Sequence, residues 1–240
     1  MSELNTVMGR IDYSRQEQMD RALRVERDLI QHPHIIVGCG GVGFWLGIFL
    51  AMNGLENSLV LVDGDKLEAT NLNRIPCPPS WIGVNKAIAL RRIIKQMRPH
   101  IQVTCLPSFL SEDTLELLKK ALNAHAYQAA TVWDCTDDAR IQTKVYKVCQ
   151  EEGVRFRKIG YEGFKIGTYA HFDVWFDEAT YQRGYRTTMA NAMSSAMAAA
   201  LGVFAEGLNI QTDVNVNIKK LMEPPPTGGT DAVGDRGQVH

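Results

Sequence analysis

Short apolar runs alternate along the chain with longer stretches in which apolar positions recur every three or four residues. Residues 34–38 (HIIVG) form a β-branched run closed by glycine and read as a buried strand. Residues 41–53 read as a helix stopped by Gly54. Residues 58–63 (SLVLVD) repeat the strand signal and close at the turn dipeptide Gly64-Asp65. A loop with Pro76, Pro78 and Pro79 follows, then a helix over 85–97 that ends before Pro99. A strand over 101–106, a helix over 112–123, a strand over 131–134 and a helix over 137–152 with Gly153 as its stop complete the series. Strand–helix alternation of this kind calls for a parallel sheet wrapped by helices.

Outside this block the pattern differs. Ser14 and Glu17 fit a capping box before an amphipathic helix over about 15–31. Residues 154–160 and 165–176 are adjacent strand-like runs, which predicts an antiparallel extension. Residues 189–208 read as a long helix rich in small residues, and Val214, Val216 and Ile218 alternate as in a strand. Met189, Met193 and Met197 recur every four residues and are expected as a buried stripe or as an interface. From Glu223 onward the composition (EPPPTGGTDAVGDRGQVH) cannot bury a core. The expected organisation is an N-terminal helical arm (1–31), one α/β domain (32–221) and a mobile tail (222–240).

Composition narrows the class. The 240 residues are 45% hydrophobic and 22% charged, which excludes wholly disordered and fibrous readings. A formal charge of −1 provides no global attraction for nucleic acid or an anionic membrane, so neither is expected as a partner. No apolar run reaches the roughly 18–20 residues of a membrane helix. The five cysteines include no CxxC pair, which argues for a reducing cytoplasm and against a structural zinc.

Candidate chemistry gathers at predicted strand ends, where doubly wound folds bind ligands. Gly38-Cys39-Gly40-Gly41-Val42-Gly43 joins the first strand to its helix, a place where backbone N–H groups and the helix dipole favour a phosphate. Asp63 ends the next strand about 20 residues later, the distance expected of a ribose-binding acid. This fingerprint alone fits NAD, FAD or ATP. Asp65, Asn71 and Arg74 follow in the loop, although a turn and capping asparagines would account for part of that segment. Lys86 begins a predicted helix, where its charge opposes the dipole and suits a phosphate partner. Asp134-Cys135-Thr136-Asp137-Asp138 closes the fourth strand; Asp138 suits a helix cap, and Asp137 suits Mg²⁺ standing between it and a triphosphate.

Taken together, GCGGVG, VDGDKLEATNLNR, GVNKA and DCTDDAR resemble, in order and spacing, the ThiF/MoeB/HesA family. This is the adenylating fold shared with the activating enzymes of ubiquitin and its relatives. The resemblance covers about residues 10–210 and implies a Rossmann-like, mostly parallel sheet. It also implies ATP- and Mg²⁺-dependent formation of an acyl-adenylate on a carboxylate. The usual carboxylate is the C-terminus of a ubiquitin-like or sulfur-carrier protein, and some relatives activate other peptides. Transferred by motif position, Asp63 would hold the ribose, Asn71, Arg74 and Lys86 the phosphates, and Asp137 the Mg²⁺. Arg15, within a Tyr-x-Arg-Gln segment, would reach a partner subunit's site, which implies a homodimer.

The chain departs from the family at several places. Ile75 stands where glutamine is usual and Phe44 where a small residue is common, changes expected to reshape the pocket. No cysteine follows Cys149, so the region around 177–188 lacks the family's thioester nucleophile; Cys77, in a proline-rich loop, is the only loose candidate. Adenylation without an enzyme-bound thioester is the expectation. Two rival readings remain at this level: a non-catalytic nucleotide- or carrier-binding subunit, and an NAD(P)-dependent oxidoreductase that leaves Arg74, Lys86 and Asp137 unexplained.

Overall fold

A computed structural model describes residues 32–53, 55, 58–111, 115–116, 118–119, 129–170 and 191–221. The expected arm, most of the expected 112–123 helix, the end of the expected 165–176 strand, the 177–188 region and the tail lie outside the described residues. The parallel block contains β1 (His34–Val37), α1 (Gly41–Met52), β2 (Leu59–Val62), α2 (Lys86–Met97), β3 (Val103–Leu106), β4 (Thr131–Asp134) and α3 (Ala139–Glu151). The second part contains β5 (Arg155–Glu162), β6 (Lys165–Tyr169), α4 (Asn191–Gly207), β7 (Val214–Asn217) and the short α5 (Ile218–Leu221).

The strands form one sheet in the order β3-β2-β1-β4-β5-β6-β7. β1 to β5 pair in parallel, and β6 and β7 add antiparallel, as the change of pattern after residue 154 predicts. The order reverses between β1 and β4, so the chain leaves their C-terminal ends on opposite sides and opens a crevice there. His34 pairs with Thr131 and Thr131 with Arg155, while Val37 pairs with Asp134 and Asp134 with Lys158. Each set therefore marks one edge of the sheet.

Alternation along the strands divides the core. Ile36, Leu59, Leu61 and Trp133 face α1, α2 and α4, whereas Ile35, Val37, Val60 and Val132 face α3. α4 meets α1 at Ser195, which a Cβ at Gly41 would overlap. Ala198 and Ala199 are fully buried in the same core, and a Cβ at Gly202 would overlap Ile159 of β5, so the small residues of α4 permit a close approach to α1 and to the sheet. The methionine stripe is not buried as a whole: Met193 is 63% exposed and Met197 half-buried, because the small residues occupy the packed face instead. Phe44 and Ile75 are both buried in the core, so these two departures fill the interior beneath the site. β7 ends at Asn217, one residue before the expected boundary; Ile218 starts α5, where it is buried and its N–H meets the Phe164 carbonyl.

Candidate functional site

β1 delivers the chain into the glycine loop at the crevice. Gly38 has φ +87°, a conformation that disfavours side chains, and its missing Cβ leaves room for Cys135 and Thr136. A Cβ at Gly43 would overlap the Gly38 carbonyl oxygen, and one at Gly41 would crowd Ser195 and the Arg74 side chain. These three glycines are required by the protein's own packing. Gly40 is different: nothing lies within 4 Å of a Cβ placed there. It is also the N-cap of α1 and supplies no side-chain cap, so the helix presents its N-terminal dipole to the crevice without a side-chain acceptor.

Asp63 is tied to this loop. Its Oδ2 accepts from the Cys39 N–H at 2.6 Å and its Oδ1 from the Asp65 N–H at 2.8 Å. Burial raises its affinity for a proton, opposed by those N–H groups and by Lys86. The carboxylate retains lone pairs for a further donor such as a ribose hydroxyl. The Lys86 ammonium, which opens α2, meets the Asp65 carboxylate at 2.7 Å. Lys86 thus has a structural counter-charge that its place in the sequence does not reveal. Arg74 reaches beside Gly41, with Nη1 donating to the Thr70 carbonyl and to Asn73 Oδ1, while Trp45 Nε1 donates to the Arg74 carbonyl. Asn71 is buried and accepts from the Glu68 N–H, capping a single 3₁₀ turn. Its amide secures the loop that carries Arg74.

Asp134, at the end of β4, is fully buried; its Oδ1 accepts from the Thr136 N–H and hydroxyl. Asp138 caps α3 and pairs with Arg140, a hydrogen bond that draws its carboxyl below the ordinary range. Asp137 is exposed between them and accepts no hydrogen bond or ion pair among the described residues. No cluster of three metal-ligating side chains occurs among the described residues. A single free carboxylate suits Mg²⁺, which binds through one or two carboxylates, water and substrate phosphates.

All five cysteines are free, and burial pushes every thiol up, Cys149 to about 12. Cys77 is included, so it lacks the electropositive setting of an activated thiol. Several site residues escape a reading of the sequence. Asn85 caps α2 with Oδ1 and donates from Nδ2 to the Asp63 and Asp65 carbonyls, joining the two acids to the Lys86 helix. Its place before a helix signals a cap, but nothing local signals the two carbonyls. Ser195 reaches Gly41 from α4, and Lys158 lies beside Asp134; the only hint was the unusual charge within the strand RFRKI. Arg15 lies outside the described residues.

The sheet order and the crevice at its switch point define an α/β protein of the doubly wound class, whose members bind ligands at that crevice. The chain belongs to the ThiF family, whose profile matches residues 13–209. It is 33% identical over 139 residues to the sulfur carrier protein ThiS adenylyltransferase of Escherichia coli K12, covering 57% of this chain and 52% of that one. It is 27% identical over 164 residues to the tRNA threonylcarbamoyladenosine dehydratase of Haemophilus influenzae, covering 66% and 60%. The chain therefore spans about half to three-fifths of these relatives. The E. coli MccB crystal structure with ATP superposes with a TM-score of 0.62 over 80% of this chain and 62% of that one, at 20% identity, a likeness of fold.

Proposed function

We propose that the protein is an ATP- and Mg²⁺-dependent adenylyltransferase that activates a carboxylate as its acyl-adenylate. One observation carries the reading: an α1 N-terminus without a side-chain cap, open at Gly40, shares the strand-end crevice with Asp63, Arg74 and Lys86. The α1 amides and Gly40 receive the phosphates, and Asp63 accepts from the ribose hydroxyls. Arg74 and Lys86 offset charge as the substrate carboxylate attacks the α-phosphorus, the Pα–O–Pβ bond breaks and pyrophosphate leaves. Lys86 exchanges or shares Asp65 as the triphosphate arrives. Asp137 would hold the Mg²⁺, which supplies charge neutralisation to the phosphate oxygens. Catalysis of this displacement is mostly positioning and charge compensation, which fixed cations and dipoles provide.

The substrate we propose is the C-terminus of a ubiquitin-like or sulfur-carrier protein, in line with the ThiS adenylyltransferase, or a peptide carboxylate. With every thiol pushed up by burial, the adenylate passes directly to an external acceptor. We place the protein in the cytoplasm, consistent with five free cysteines, and as a homodimer in which Arg15 completes the neighbouring site. Exposed Met193 and Phe204 on α4, with Leu208 just past its end, are the surface we assign to that pairing. No helix among the described residues is long and apolar enough to cross a membrane.

Calorimetric titration with ATP in Mg²⁺, beside NAD, tests the reading. The expected result is Mg²⁺-dependent ATP binding that Asp137→Ala weakens by on the order of tenfold or more. Tight NAD binding without a response to ATP would return the fold to dehydrogenase chemistry. ATP binding without pyrophosphate exchange across a panel of carriers would favour a non-catalytic subunit.

A further inference from the structure

Lys158 is a buried cation in a place where stability alone gives no reason for one. It stands in register beside Asp134 at the crevice edge of the sheet, and its side chain is 6% exposed. Its Nζ lies 3.4 Å from the Thr136 carbonyl, to which it donates, and 3.9 Å from Asp134 Oδ2. That Oδ2 has no hydrogen-bond partner among the described residues. Thr136 lies two residues before the N-cap of α3, so the ammonium sits near the positive end of a helix dipole. Removing an ammonium from water is costly, and a buried ion pair often stabilises no better than apolar side chains of equal volume.

What Lys158 touches gives the reason. The Thr136 carbonyl accepts from Lys158 and also from Gln142 Nε2 at 2.9 Å, while the Thr136 N–H and hydroxyl are taken by Asp134. Residues 135 and 136 also rest on Gly38, so the same short segment roofs the glycine loop. The next residue is Asp137. Its carboxylate and that of Asp134 both lie within electrostatic reach of the ammonium. One cation therefore acts on a buried anchor, on the carbonyl between, and on the free carboxylate beyond.

We propose that Lys158 is a positioning residue for Asp137, holding residues 134–136 from beneath so that the Asp137 carboxylate is presented to the metal–triphosphate. This inference rests on the reading of Asp137 as the Mg²⁺ carboxylate. Lys158→Met keeps an unbranched apolar stem, one atom shorter, and removes the ammonium. ATP affinity is measured by calorimetry across a Mg²⁺ series, amide hydrogen exchange is followed at residues 135–138 in the free protein, and Tm is recorded. The Mg²⁺ concentration for half-maximal ATP affinity is expected to rise about tenfold, the scale on which outer partners of metal ligands act. Exchange at 135–138 is expected to accelerate, and affinity at saturating Mg²⁺ to stay within about twofold.

The double variant Asp134→Asn/Lys158→Met leaves no unpaired buried charge and guards against misfolding. It should recover Tm and keep the raised Mg²⁺ requirement. An unchanged Mg²⁺ requirement and unchanged exchange in Lys158→Met, whatever its Tm, overturns the proposal. So does a double variant that recovers both. Wild-type protein whose ATP binding ignores Mg²⁺, or ignores Asp137→Ala, overturns the underlying reading instead, and the exchange data then show separately whether Lys158 holds the segment.

Discussion

A methyl group added at Gly43 would overlap the Gly38 carbonyl oxygen, whereas one added at Gly40 would meet nothing within 4 Å. The two positions look alike in the string GCGGVG, yet one is committed to folding and the other is left open. Gly43→Ala is expected to destabilise by about 1–3 kcal/mol, the usual cost of overpacking, seen as a lowered urea midpoint. Gly40→Ala should change stability by only about 0.5 kcal/mol, because its extended backbone suits alanine. Its effect should fall on ATP affinity, on the order of tenfold or 1.4 kcal/mol by calorimetry, since the methyl group would occupy space the phosphates need. Equal losses of stability in the two variants would count against this division of roles.

At the scale of elements, α2 is fixed to the site by its cap. Asn85 Oδ1 accepts from the Ala87 and Ile88 N–H groups, and its Nδ2 binds the Asp63 and Asp65 carbonyls. Asn85→Ala removes both sets and is expected to cost about 1–2 kcal/mol in chemical denaturation. Asn85→Asp keeps the cap and loses the donors, so it should recover part of the stability and little of the ATP affinity. A variant that recovers both would reduce Asn85 to a cap. The sequence announced this element well: helix signals ran from 85 to 97, and the helix is Lys86–Met97 with Asn85 as cap. It did not announce that the Lys86 ammonium would meet Asp65, because those residues are 21 positions apart and a fold of the chain brings them together.

Across the whole molecule, the edge of the sheet opposite the glycine loop is joined by charge. Glu206 of α4 accepts from Thr131 of β4 at 2.7 Å and from Arg157 of β5 at 2.8 Å, while Arg157 Nη2 donates to the Ile210 carbonyl. A cavity of about 210 Å³ lined by Arg155, Arg157 and Glu206 lies at this edge, away from the candidate chemistry. Burial alone would raise the Glu206 carboxyl, but Arg157, Thr131 and Arg155 outweigh it and hold it below the ordinary 4.5. As pH falls, the unfolded chain takes up this proton first. The stabilisation is therefore complete above about pH 4.5 and is lost as pH falls through the lower folded value. Glu206→Gln leaves Arg157 buried without its charge partner and is expected to cost about 3–5 kcal/mol at neutral pH. It should also flatten the acid limb of the stability profile below about pH 4.5, where the unfolded chain takes up this proton ahead of the folded one. A parallel profile would mean that other carboxylates govern acid unfolding. By sedimentation velocity a dimer is expected, and Phe204→Asp with Leu208→Asp should dissociate it.

The strands and helices of the described residues, the break in pattern after residue 154, the glycine loop and the acids at the strand ends were legible in the sequence. Periodicity and capping are local properties, written within a few neighbouring residues. Tertiary structure alone decided that β4 inserts beside β1, and so placed Cys135 and Thr136, the residues between Asp134 and Asp137, against Gly38. It also turned Met193 outward, paired Lys86 with Asp65, and buried Lys158 under residues 134–136. Those outcomes depend on which strand ends share an edge and how closely α4 lies on α1. Such contacts join residues tens to more than a hundred positions apart, and no local pattern encodes them.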